Sequence, residues 1–436
     1  MAWWGSDPRL TTAAQTLQID DPLATRRAGR DLLSLLLLDA RNHLLQRLAL
    51  DDSAPALRLA ARAGHYQEQW IACHAQRGRG EGCDAGSVRL AGVEPAIEQW
   101  LSAAGEDDGI GPTPGRLRGY LAQTLDITLD LLSTTPETGD ALHFYRQALL
   151  HEDRLGEALD ERLRTGMPIA RVVRDALWMP AQRWQLGSAQ GAPMGAFNGA
   201  SNGVSNGAFN GVPMGAPRSP PQGLTDADWV PALERWAHEI STPEFEIDAQ
   251  PVNWAQFVEF VDDGGYDRRD LWTDPGWAWV LATGRRAPAH VEQMRGGVLV
   301  QRGHGERAGL QRAAAGQPVM HLTRHEAQAW CQWAGRRLPT EPEWEIAAST
   351  ASSRGFVWGD VFEWVAGSAR LWPGADPAAP GALDGLPGGE ISPAHSVGVL
   401  RGGSFATRAR QRHPKARRFV RTDCDTPFCG FRSCAF

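Results

Sequence analysis

Residues 115–134 read GRLRGYLAQTLDITLDLLST. Leu117, Leu121, Leu125, Leu129 and Leu132 recur at three- and four-residue steps, the period of one helix face, and Pro136 follows where a helix would end. On the C-terminal side, Leu142, Tyr145, Leu149 and Leu159 predict a helix over 140–164, stopped near Gly166 and Pro168. On the N-terminal side, Leu33, Leu37, Leu44, Leu45 and Leu48 predict one over 24–50. Another is expected over 56–76, with Leu57, Ala60, Ala61, Gly64, His65 and Trp70. Four helices of this length with polar connections predict a four-helix bundle over residues 1–168.

Beyond that point the chain changes character, and a second domain is expected over 181–436. Thirteen of the 18 tryptophans lie from Trp184 onward, among short apolar runs punctuated by Gly and Pro. Three short helices carry capping pairs: Asn253 with Gln256, Thr323 with Glu326, and Thr340 with Glu343. In each, a side-chain acceptor meets the orphan N–H groups and the third residue answers it. Gly398–Phe405 and Phe428–Ala435 read as strands. The fold class is therefore α+β, a helical bundle followed by an irregular, loop-rich domain. Residues 197–212 repeat an Asn-Gly tetrad between two Pro-Met-Gly-Ala segments, and 189–228 reads as a low-complexity loop insertion.

Length and charge narrow the function. A chain of 436 residues exceeds one usual domain. A net charge of −7 argues against general binding to nucleic acid or anionic membranes. The longest apolar run, Leu32–Leu38, is far short of the ~20 residues that span a bilayer. Met1-Ala2-Trp3-Trp4 carries no basic n-region, so no secretory signal is expected. Six cysteines at irregular spacing do not form a disulfide framework, and a cytoplasmic location is expected.

Four groups could carry chemistry. His65 and His151 fall on neighbouring bundle helices, where metal sites are often assembled. A second ligand on the helix of His151 would be wanted at position 155, one turn on, but that residue is Leu155. Glu152, Asp153 or Glu157 could supply a carboxylate instead, although none has the favoured offset. Residues 401–421 hold seven arginines and Lys415 with no acid, a surface for a carboxylate or phosphate or a set of structural ion pairs. Cys424, Cys429 and Cys434 are five apart, and on an extended strand such spacing alternates faces.

Together these stretches resemble the ergothioneine-biosynthesis sulfoxide synthases and the related selenoneine synthases. The motifs are Ala63-Gly-His-Tyr-Gln-Glu68, Leu150-His-Glu-Asp153, Phe245–Trp254, Phe257–Tyr266, Trp330–Glu345, Trp358–Trp364, Leu400–Phe405 and Gly430-Phe-Arg432. The resemblance covers nearly the whole chain. It implies a DinB-like bundle joined to a domain of the formylglycine-generating-enzyme (sulfatase-modifying factor) fold, which is C-type-lectin-like. It also implies a non-haem Fe(II) oxidoreductase that uses O2 to form a C–S or C–Se bond on the imidazole of hercynine, with a thiol or selenosugar as the other small-molecule substrate. Nucleic acid and membrane are not among the partners it implies. The copper-dependent formylglycine generators are similar too, but 406–412 contains no reactive cysteine.

Carried over by position, His65 and His151 match two metal ligands, while the third falls at Leu155. Arg417, Arg418, Phe419 and Arg421 fall in the segment that contacts substrate in the family. That segment departs from the family at Arg418, Thr422 and Cys424, where Asn, Pro and Arg are usual. The loop Leu371-Trp-Pro-Gly374 lacks the family's tyrosine, and no tyrosine follows Tyr266. Two functions are expected from this pattern: a synthase of that family, or a catalytically inactive paralogue that binds a small betaine or anionic ligand.

Overall fold

A computed structural model describes residues 18–84, 86–102, 111–189, 228–375 and 396–436. The Asn-Gly repeat lies outside them. The first half contains α1 (Pro22–Arg26), α2 (Arg30–Leu48), α3 (Ala54–Gln67), α4 (Ile97–Ser102), α5 (Pro114–Thr134) and α6 (Gly139–Leu163). The four long helices are those that the sequence predicts. The first expected helix is split, because Asp21 caps α1 and Gly29 then starts α2. A β-carbon at Gly29 would lie 2.7 Å from Glu137 Oε1, and that same oxygen accepts the Arg30 amide at 2.9 Å. The second expected helix ends as a π-helical turn, Glu68–Ala72.

The leucine stripes meet in two apolar clusters. One gathers Leu33, Leu37, Leu125, Leu132, Leu142, Tyr145 and Leu149, and the other Leu44, Leu48, Leu57, Leu117, Leu121, Leu155 and Leu159. At the middle of the bundle lies a buried polar knot. Arg41 grips Glu152 through Nε and Nη2, and Gln67 Nε2 donates to Glu152 Oε2 at 2.9 Å. Both charges are nearly inaccessible, so each depends on the other for solvation.

After an extended linker, the second half adds four helices and eleven short strands among the described residues. The helices are α7 (Trp254–Asp262), α8 (Asp274–Thr283), α9 (Arg324–Trp333) and α10 (Glu341–Thr350). Capping boxes form at Asn253, Thr323 and Thr340, as the sequence predicts. Strands β1 (Leu177–Met179) and β4 (Phe245–Ile247) pair, as do β2 (Gln182–Leu186) and β3 (His238–Thr242). A three-stranded ribbon follows, β5 (Val291–Gln293), β6 (Leu299–Arg302) and β7 (Gly309–Arg312). The central sheet runs β10 (Arg417–Arg421), β9 (Val397–Arg401), β8 (Phe362–Trp364), β11 (Cys429–Phe431), with only the β8–β11 pair parallel. Tryptophans support this short-stranded core with anchored indoles: Trp184 donates to Glu345, Trp344 to Glu363 and Trp364 to the Leu322 carbonyl, at 2.9–3.0 Å.

Charge joins the halves. Fully buried Arg410 of the arginine-rich segment holds Asp153 of α6 through two bonds of 2.8 and 2.6 Å, and Asp39 of α2 at 2.6 Å. Arg418 grips Glu161 at 2.6 and 3.1 Å. Arg26 grips Glu234, and Arg27 grips Asp228. No helix among the described residues is long and apolar enough to cross a membrane.

Candidate functional site

The helical register of α6 sets the site. His151, Arg154, Leu155 and Ala158 are three, four and seven residues apart, and all line a cavity of about 440 Å³ between bundle and second domain. Leu59 and Arg62 of α3 close one side. Phe362, Gly402, Thr407, Gln411 and Arg418 close the other.

The two histidines lie on α3 and α6, but only His151 lines the cavity. The His151 ring stacks on Tyr66, the residue after His65, with centroids 4.6 Å apart. His65 is half-buried, 3.8 Å from Glu98, and its Nδ1 has no hydrogen-bond partner among the described residues. Burial lowers its pKa, which favours the neutral imidazole a metal requires. The third corner is different. Leu155 is 7% exposed and packs with the lower leucine cluster. Among the described residues no three His, Cys, Asp or Glu side chains gather to hold a metal. The residues present therefore do not complete the three-imidazole Fe(II) site that the family resemblance implies.

A carboxylate substitute fails as well, because the three candidate acids near His151 are committed elsewhere. Glu152 faces Arg41 in the bundle centre, and Asp153 accepts from Arg410 and Gln411. Glu157 accepts from Ser404 Oγ at 2.7 Å and from Thr407 Oγ1. Burial first, and then the neighbouring Glu161 carboxylate, push the Glu157 carboxyl up to about 7.

The expected substrate-binding segment is mostly structural. Arg417 reaches the cavity wall, but its guanidinium holds Glu341 at 2.7 and 3.0 Å and donates to the Leu233 and Arg370 carbonyls. It also lies 4.1 Å from the Trp372 ring, so the departed loop contributes a packing surface. Arg418 lines the cavity with its charge committed to Glu161. Phe419 is corrected to a core residue, 1% exposed among Val399, Trp372 and Ile346. Arg421 is corrected to a local pair with Asp423, at 3.0 and 2.6 Å, and does not line the cavity. Tyr266 donates to Glu326 at 2.5 Å within the α9 cap, a scaffold role. All six cysteines are free thiols.

The sequence offers Glu157 only as a possible carboxylate ligand, and Arg62, Gln411 and the Ser404–Thr407 partners of Glu157 are not legible in it as site residues.

Residues 221–363 match the sulfatase-modifying factor enzyme 1-like domain. The chain is similar to a hercynine oxygenase of Mycolicibacterium thermoresistibile, 29% identical over 397 residues, covering 87% of this chain and 77% of the relative. It is likewise similar to the hercynine oxygenase of Mycobacterium tuberculosis, 29% identical over 445 residues, covering 88% and 94%. A shorter stretch, 36% of this chain, is 31% identical to the inactive C-alpha-formylglycine-generating enzyme 2 of Bos taurus, 54% of which it covers.

Proposed function

The chain is a homologue of the hercynine oxygenases with a domain of sulfatase-modifying factor type, and from that premise we propose that it acts on hercynine. The reaction is formation of a C–S or C–Se bond on the imidazole ring, with dioxygen and a thiol or selenosugar as the other substrates. The match to hercynine oxygenases over 87% of the chain carries this reading. The interdomain cavity supports it, since it combines His151 and Arg62 with the Phe362 ring for a zwitterionic, imidazole-bearing molecule. Fe(II) is the metal such chemistry takes, and His65 and His151 are the two side chains of the expected set that this chain retains. The location proposed with this reading is the cytoplasm.

One observation favours a second reading. Leu155 occupies the place of the third ligand and is packed in the apolar cluster, as in a paralogue that binds the betaine without turnover. Relatives named inactive occur on the formylglycine-generating side of the similarity. One experiment separates the two. The purified chain is incubated under air with Fe(II), hercynine and cysteine, γ-glutamylcysteine or a selenosugar, with mass spectrometry of products. Hercynine is titrated calorimetrically in EDTA in parallel. A sulfur- or selenium-bearing product establishes the first reading. Binding in EDTA with no product establishes the second, and absence of both overturns each.

A further inference from the structure

We propose that the cleft where the end of α6 meets the turn between β6 and β7 binds a small oxyanion, a ligand bearing a phosphate or carboxylate group. The cleft has a volume of about 460 Å³ and is lined by Arg164, Gly166, Arg302, His304, Arg307 and Gln311, among others. It is separate from the cavity that holds His151. No carboxylate stands among its described lining residues.

The cations converge from different elements. Arg164 caps the C-terminus of α6. Its Nη2 donates to the Gly303 carbonyl, while its buried Nε has no partner among the described residues. Arg302 ends β6, is half-buried, and makes no ion pair among the described residues. Arg307 follows on the next turn and reaches the Leu50 carbonyl at 3.2 Å. The nearby Arg162 differs, because Asp51 neutralises it at 2.7 Å.

The field of this cluster is felt around it. Burial and then Arg164 pull Arg302 down to about 10. Burial and then Arg162 lower Arg164. His321 is held at about 3 by burial and then by His290, with Arg302 and Arg164 adding to the same effect. A helix C-terminus favours nearby cations, which accounts for Arg164. It does not account for Arg302 and Arg307, which come from the β-ribbon. Arg164 and Arg302 are partly desolvated with no counter-charge among the described residues, which is costly, and a bidentate oxyanion would offset that cost.

The test uses the full chain. Thermal unfolding is compared in chloride, phosphate and citrate at matched ionic strength, with calorimetric titration of inorganic phosphate and of citrate. Phosphate or citrate is expected to raise Tm beyond chloride. Arg302→Gln and Arg164→Gln are each expected to weaken binding on the order of tenfold. A response to phosphate alone identifies a phosphate-bearing ligand, and a response to citrate alone a carboxylate-bearing one. Because Arg302 makes no ion pair among the described residues, Arg302→Gln is expected to leave Tm in chloride unchanged or higher. Equal Tm in all three salts would overturn the site. So would variants that bind like the parent, or a fall of several degrees for Arg302→Gln in chloride.

Discussion

Leu155 shows how far a single position reaches. It lies one helical turn from His151 and lines the same cavity, so an imidazole there would share that wall with His151. Leu155→His is expected to raise Fe(II) content of the purified chain to about one per molecule, read by elemental analysis. Unchanged iron content would mean that position 155 does not face the two histidines. Glu157 gives a second test. Its folded pKa, about 7, stands above the ordinary 4.5, so the native state retains a proton that the unfolded chain releases. The associated stability is fully present below about pH 4.5 and is lost as pH rises through 7. Glu157→Gln is expected to flatten that decline in urea midpoints measured between pH 5 and 8, and an unchanged slope would assign the decline to other groups. His65, His151 and Leu155 could be picked out in the sequence because one helix period relates the last two. The fates of Arg417 and Phe419 could not, since they depend on Glu341, Trp372 and Val399, which only the folded sheet brings near.

Elements are where the sequence was most informative. Four apolar stripes and three capping boxes fall where local rules place them, because each is settled within a few residues. The short strands were less legible. Three- to five-residue segments leave little room for alternation, and their pairing depends on distant partners. The Arg41–Glu152 knot was illegible for the same reason, its members being 111 residues apart. Arg41→Met alone should cost about 3–5 kcal/mol in denaturant unfolding, because Glu152 is left buried and unpaired. The double variant Arg41→Met/Glu152→Leu should recover most of that loss. If the double variant is no more stable than the single one, the knot contributes more than mutual charge neutralisation.

Across the whole molecule, the arginine-rich segment that looked like a ligand surface proves to be a clamp. Arg408, Arg410 and Arg418 find their acids in the bundle, at Asp39, Asp153 and Glu161, while Arg401 and Arg417 are held by Glu345 and Glu341 of α10. Arg410→Ala leaves Asp153 buried without its partner and should cost about 3–5 kcal/mol. It should also split one calorimetric transition into two as the halves uncouple. A single transition of unchanged width would mean that the remaining pairs suffice. The uneven placing of tryptophan adds a further consequence. The second half carries most of the indoles, several fixed by hydrogen bonds, while the described bundle holds only Trp70 and Trp100. Fluorescence emission therefore reports chiefly on the second half, whereas far-ultraviolet circular dichroism is dominated by the bundle helices. The molecule carries two optical reporters, one for each half, and no label is needed to watch them part.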